Sequence, residues 1–129
     1  LPQLNIIING GIENLDAAIA HLDHVDGVML GRAAYHTPWI LHDVDQRIYG
    51  EEPALLTPLD IVERMKPYVL SELSRGVWLQ NITRHMLGLF TGKPGARHWR
   101  RVLSEGASRE GAGLSVLDRA LDDVRVGVA

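Results

Sequence analysis

Two short aliphatic runs, Asn5-Ile6-Ile7-Ile8-Asn9 and Gly27-Val28-Met29-Leu30, each break at glycine, the first at Gly10-Gly11 and the second at Gly31. Runs that are apolar throughout, with no alternation, are the pattern of parallel strands covered on both faces. Between them Leu15, Ala18, Ile19 and Leu22 recur at helical spacing. Glu13 or Asn14 stands near the start of that stretch, and the region from Asp23 to Asp26 ends it. Strand, helix and strand within roughly 30 residues make a βαβ unit, which crosses over right-handedly. Two parallel strands do not complete a sheet. Their open edges and outer faces need neighbours that this chain does not encode.

The rest of the chain changes character. Residues 33–50 read as another helix followed by an irregular exit, with Pro38 near its start. Glu51-Glu52-Pro53 and Thr57-Pro58 form a hinge, after which the pattern is helical. Thr57 suits an N-cap, with Pro58 at the first helical position and Asp60 three residues after the cap, close to a capping box. Ile61, Met65, Tyr68 and Val69 then line one face, Pro67 should kink that helix, and Gly76 should stop it. Further helices are expected over 78–90, 95–105 and 115–124, separated by Gly92-Lys93-Pro94-Gly95 and by the region from Gly106 to Gly113. The expected fold is α/β and then all-α, with a boundary between residues 1–50 and a small helical bundle over 51–129.

Composition narrows the chemistry. The 129 residues hold no cysteine, which excludes a disulfide scaffold, a cysteine-ligated metal site and any thiol nucleophile within this chain. No apolar run approaches the roughly 18 residues of a membrane span. Leu1-Pro2-Gln3 offers neither an initiating Met nor a basic start before an apolar stretch, so a secretory signal is not supported and a fragment is suggested. Charge is uneven along the chain. Residues 1–72 carry 11 acids against four bases, whereas 73–104 carry six bases and no acid. Such a stretch inside an acidic protein is either a footprint for a polyanion or a solvated face paired with acids elsewhere in the fold.

Glycine turns give the first chemical signal. At Asn9-Gly10-Gly11 and Gly31-Arg32, glycine lets the backbone approach a ligand, and its N–H groups can cradle a phosphate. A following helix N-terminus favours negative charge, and Arg32 could add a full charge and a bidentate grip. Glycine punctuates any βα connection, so one such turn carries little. Two of them on consecutive parallel strands match the phosphate site that many (β/α)8 barrels build after strands seven and eight.

The second signal is a basic helix. Arg97, Arg100, Arg101 and Ser104 share one face, while Trp99, Val102 and Leu103 fall on the other and suit a core. A row of arginines turned outward suits contacts to a phosphate backbone, and Arg84 and His85 could extend the patch. A solvent-facing helix with no partner is the plainer explanation, although exposed helices usually intersperse signs. Elsewhere chemistry is thin. The six histidines show no metal-ligand spacing, Asp122-Asp123 and Glu51-Glu52 suit solvated charges, and Trp78 and Trp99 suit a core. No residue stands out as catalytic.

Asn9-Gly10-Gly11-Ile12, Val28-Met29-Leu30-Gly31-Arg32-Ala33-Ala34-Tyr35, Ile82-Thr83-Arg84-His85-Met86-Leu87-Gly88-Leu89-Phe90 and Pro94-Gly95-Ala96-Arg97-His98-Trp99-Arg100-Arg101 closely resemble the A-type tRNA-dihydrouridine synthases. The likeness runs over nearly the whole chain and is least specific in the last 20 residues. It implies flavoenzymes with an N-terminal TIM (β/α)8 barrel and a C-terminal helical domain, which use FMN and NADPH to reduce the C5–C6 bond of particular uridines in tRNA. On that resemblance the chain is the last two βα units of the barrel plus the helical tRNA-binding domain, and its partners are tRNA and the missing N-terminal barrel. Asn9, Gly10, Gly11, Gly31 and Arg32 are then the FMN-phosphate contacts, and Arg97 and Arg100 belong to the signature that orients tRNA. Lys93, Arg84 and Arg101 are added on charge and position. The resemblance implies a cytoplasmic protein with no metal and no membrane.

It also implies a gap. The family's proton-donating cysteine lies earlier in the barrel, so no catalytic residue is expected in this chain, and the isolated chain is expected to be inactive. A rival reading is a non-catalytic helical RNA-binding module, with salt-sensitive tRNA binding and no stable flavin. A third is a protein-interaction fragment whose open strand edges pair with a partner.

Overall fold

In the computed structural model residues 3–124 are described. The chain divides into two compact units, Leu1–Leu55 and Leu56–Ala129. It is mostly helical, with one small parallel sheet.

In the first unit Asn14 caps helix α1 (Leu15–Leu22), its side chain accepting the Ala17 N–H at 2.8 Å. Strands β1 (Ile7–Asn9) and β2 (Gly27–Met29) pair in parallel, with Ile7 opposite Gly27 and Asn9 opposite Met29. Asp26 fixes the start of that pairing: its carboxylate accepts the Ile6 N–H at 2.8 Å, and its own N–H donates to the Ile6 carbonyl at 2.9 Å. The strands are not covered on both faces as their apolarity suggests. Ile7 is 66% exposed and Met29 46%. Pleating puts these two on one face of the sheet, and α1 packs along β2.

Residues 33–50 also depart from expectation, forming three short pieces instead of one helix. Helix α2 (Arg32–His36) stops at Thr37, because the proline that follows disfavours helical backbone in the residue before it. Pro38 opens a 3-10 turn (Pro38–Leu41), and α3 (Val44–Tyr49) ends at Gly50 in left-handed conformation. The Arg47 guanidinium pairs with Asp16 and so joins α3 to α1.

The second unit opens on the expected capping box. Thr57 Oγ1 accepts the Asp60 N–H, and Asp60 Oδ2 accepts the Thr57 N–H at 2.8 Å, with Pro58 first in helix α4 (Pro58–Ser74). The Thr57 N–H and the Thr57 hydroxyl, both donating to Asp60 Oδ2, hold the Asp60 carboxyl below its usual value. Helix α4 runs through Pro67, and Val62 and Val69 are its fully buried side chains beside part-buried Ile61 and Met65. Tyr68, which the spacing places on the same face, is half exposed, since adjacent helical positions lie about 100° apart.

Only Gln80–Thr83 (α5) is helical where a helix over 78–90 is expected. The chain then winds through tight turns in which Met86, Leu89, Thr91 and Lys93 each donate to the carbonyl three residues back. This path buries Met86, Leu89 and Phe90 in the core. Leu79 takes the core position, and Trp78 beside it is 47% exposed instead of buried.

Helix α6 (Ala96–Gly106) starts at Gly95, where φ is +86°. A Cβ there would lie 2.7 Å from the Val124 backbone nitrogen, so no larger residue fits that approach. Trp99 is fully buried, donates its indole N–H to the Met86 carbonyl at 3.0 Å and meets Phe90 edge-on at 4.8 Å. Helix α7 (Leu114–Ala120) packs on α6, with Val116, Leu117 and Ala120 buried. Lys66 pairs with Glu63 on its own helix at 2.8 Å and joins α4 to α7 through Asp118 at 2.9 Å, and the two carboxylates raise its pKa above the ordinary value.

Candidate functional site

The two βα turns of the first unit meet in one cleft of about 750 Å³. Asn9, Gly10, Gly11, Gly31 and Arg32 all line it, although the two turns lie some 20 residues apart in the chain. Gly10 and Gly11 have φ of +115° and +69°, with nothing within 4 Å of where a Cβ would stand. Glycine is therefore required there by backbone conformation and not by packing. Gly31 has ordinary negative φ and ends β2 beside the Met29 side chain.

Arg32 is exposed and, among the described residues, makes no ion pair. As the first residue of α2 it keeps its N–H outside the helix's own bonding. Helix α2 is only five residues long, so its dipole adds little and the Arg32 charge dominates. A cradle of glycine backbone closed by one free guanidinium fits a phosphate. Glu13, His36 and Thr37 also line the cleft, and sequence reasoning passed over all three. His36 follows Arg32 by four residues, a spacing that places both on one helix face and was there to be read. Glu13 adds a carboxylate to the same lining.

In the second unit a groove of about 520 Å³ is lined by Lys93, Arg97, Arg100 and Arg101 together with His98 and Asp123. Arg97, Arg100, Arg101 and Ser104 are exposed, while Trp99 and Leu103 are buried on the opposite side of α6 and Val102 is half-buried. The expected amphipathic split is therefore present. Arg84 is not among the groove's lining residues. It follows α5, is exposed, and donates its Nε–H to His85 Nε2 at 3.2 Å.

His98 and Asp123 had no signal as groove residues. The His98 Nε2–H donates to the Arg119 carbonyl at 2.9 Å, and its Nδ1 lies 3.6 Å from Asp123 Oδ2. The acid-free stretch thus acquires a carboxylate through folding: Asp123, which suits a solvated charge in sequence, sits on the groove's edge. Among the described residues no group of three or more His, Asp or Glu side chains could hold a metal ion. No helix among them is long and apolar enough to cross a membrane.

A family model described as dihydrouridine synthase matches residues 1–125. The chain is 54% identical over 120 residues to a tRNA-dihydrouridine(20/20a) synthase of Escherichia coli K12, covering 93% of this chain and 35% of that protein. The protein of the same description in Vibrio cholerae is 50% identical over 120 residues, covering 93% of this chain and 37% of its own length. The Salmonella typhimurium one is 53% identical, with 93% and 36% covered. The chain thus spans little more than a third of the length of these curated relatives.

Proposed function

Because the chain belongs to the dihydrouridine synthase family, we propose that it is the C-terminal part of a flavin-dependent tRNA-dihydrouridine synthase. In this reading the first unit is the end of a (β/α)8 barrel and the second is the helical domain that grips tRNA. The substrate is uridine in tRNA, and the relatives' names specify positions 20 and 20a. The observation that carries the proposal is the convergence of Asn9, Gly10, Gly11, Gly31 and Arg32 on one cleft.

Those five residues hold the FMN phosphate: glycine N–H groups approach its oxygens and Arg32 supplies the balancing charge. Held there, FMN would supply the reducing chemistry for the uracil C5–C6 bond, with NADPH as its reductant. Arg97, Arg100, Arg101 and Lys93 contact tRNA phosphates and fix the orientation of the substrate, with Arg84 as an outlying contact. No residue of this chain supplies the proton, so the isolated chain does not reduce uridine, and a cytoplasmic location follows from the substrate.

A non-catalytic RNA-binding module is the second reading, favoured by one observation: the helical unit has its own continuous core. The test uses the protein at its native length in its source cells. Arg32→Ala should weaken FMN binding by about 10-fold or more, the usual worth of a charge-assisted contact, with tRNA affinity retained. Reversing Arg97 and Arg100 to Glu should cost tRNA affinity and flatten its dependence on salt, by close to one unit of log–log slope for each phosphate no longer neutralised. FMN binding indifferent to Arg32 overturns the cofactor assignment, and tRNA binding indifferent to the double reversal overturns the RNA assignment. Tight tRNA binding by a native protein of only this length, without flavin, would favour the second reading.

A further inference from the structure

Within the basic groove, one side chain joins the arginine face to the helix behind it. His98 lies on α6 with only 22% of its side chain exposed. Its Nε2 stands 2.9 Å from the Arg119 carbonyl near the end of α7. A carbonyl only accepts, so Nε2 carries the hydrogen and fixes the tautomer. That leaves Nδ1 as an acceptor, and Arg101 Nη2 donates to it at 3.3 Å. Asp123 Oδ2, 3.6 Å from the same nitrogen, lies beyond hydrogen-bond distance but beside the groove.

Arginine is a long side chain that loses rotamer freedom when it is ordered on binding, and an exposed one on a helix is otherwise unrestrained. We propose that His98 is a positioning residue: it anchors on the α7 backbone through Nε2 and presents Nδ1 to hold the Arg101 guanidinium in place for an RNA phosphate. This rests on the reading that the exposed face of α6 meets tRNA. His98 itself touches no phosphate in this arrangement. Arg97 and Arg100 have no such tie among the described residues, so Arg101 is the preorganised member of the row.

The two ring nitrogens can be separated by substitution. His98→Gln reaches as far as Nε2 and keeps a donor for the Arg119 carbonyl, but it offers Arg101 nothing at the Nδ1 position. His98→Asn places its oxygen where Nδ1 stands and keeps the acceptor for Arg101, while it loses the tie to α7. The measurement is affinity for an unmodified tRNA transcript, together with thermal midpoint, on the native-length protein. His98→Gln should weaken tRNA binding several-fold with the midpoint retained. His98→Asn should weaken tRNA binding less than His98→Gln does, and should lower the midpoint.

In an Arg101→Ala background, His98→Gln should have no further effect on affinity, because the histidine acts only through that arginine. Full tRNA affinity in His98→Gln, or a loss that adds to that of Arg101→Ala, overturns the proposal. If Arg101→Ala alone leaves tRNA binding unchanged, what fails is the RNA reading of that residue, and the proposal falls with it.

Discussion

The two units use the same kinds of residues and reach different degrees of completion. Among the described residues, the first unit buries only Ile12, Leu15 and Ala18, whereas fifteen side chains of the second form one continuous core. The difference lies in architecture. A helical unit closes on itself once its helices meet, because each supplies an apolar stripe to the same interior. A parallel βα unit cannot, because its sheet has two faces and two edges and its own helix covers one face. The exposed Ile7 and Met29 are thus not a failure of hydrophobic patterning. They lie together on one face of a two-stranded sheet, where the pleat puts them.

The largest expected effect comes from separating the units. Residues 56–129 alone should unfold in one cooperative transition, while residues 1–55 alone should lack hydrogen-exchange protection at β1 and β2, since isolated two-stranded pieces are marginal in water. Stable protection in residues 1–55 would break the contrast. Point substitutions come next. Trp99→Ala should cost about 3–5 kcal/mol, the usual range for removing a buried aromatic, as read by denaturant unfolding. Ile7→Ala in this chain should stay within about 0.5 kcal/mol. In a native-length protein that covers the sheet, the same change should rise to about 2–5 kcal/mol. An equal and small effect of Ile7→Ala in both settings would mean that nothing covers that face.

The smallest effect is pH dependence within the helical unit. Asp60 is held below the ordinary carboxylate value of 3.8 by its bonds from Thr57. The capping box is therefore fully stabilising above that value and is lost as pH falls through the lowered one. Lys66 is raised above 10.5 by Glu63 and Asp118, so its contribution is present below 10.5 and is lost as pH rises through the raised value. Asp60→Asn should flatten the acid limb of the stability curve and leave the alkaline limb intact. Lys66→Met should do the reverse. A change on the same limb from both would contradict these assignments.

What could be read from the chain was local. The Asn14 cap, the Thr57-Pro58-Asp60 box, the arginine face of α6 and the two glycine turns each depend on residues within four positions of one another. What escaped depended on partners far along the chain. Trp78 lost its core place to Leu79, and the turns over 84–95 went unread because Met86, Leu89 and Phe90 stand at i, i+3 and i+4, the spacing a helix would also have. Asp123 joined the basic groove only because the segment that follows α7 comes back against Gly95, and the bond from His98 to the Arg119 carbonyl likewise depends on α7 packing beside α6. The cleft of the first unit was legible for five of its residues, since glycine turns mark themselves in sequence, whereas Glu13 and Thr37 line it without any such mark.

The surroundings of the three tryptophans carry this contrast into optical terms. Trp99, sealed against Phe90 with its N–H bonded to a carbonyl, should emit at short wavelength and shift red only when the helical core opens. Trp78, half in water, should already emit red and be accessible to a soluble quencher. Trp39, in the first unit, lies flat on the His42 ring at 4.4 Å, a contact that quenches an indole when the imidazole is charged. Leaving one tryptophan at a time, with phenylalanine at the other two positions, would let light alone follow the two units through a single melt.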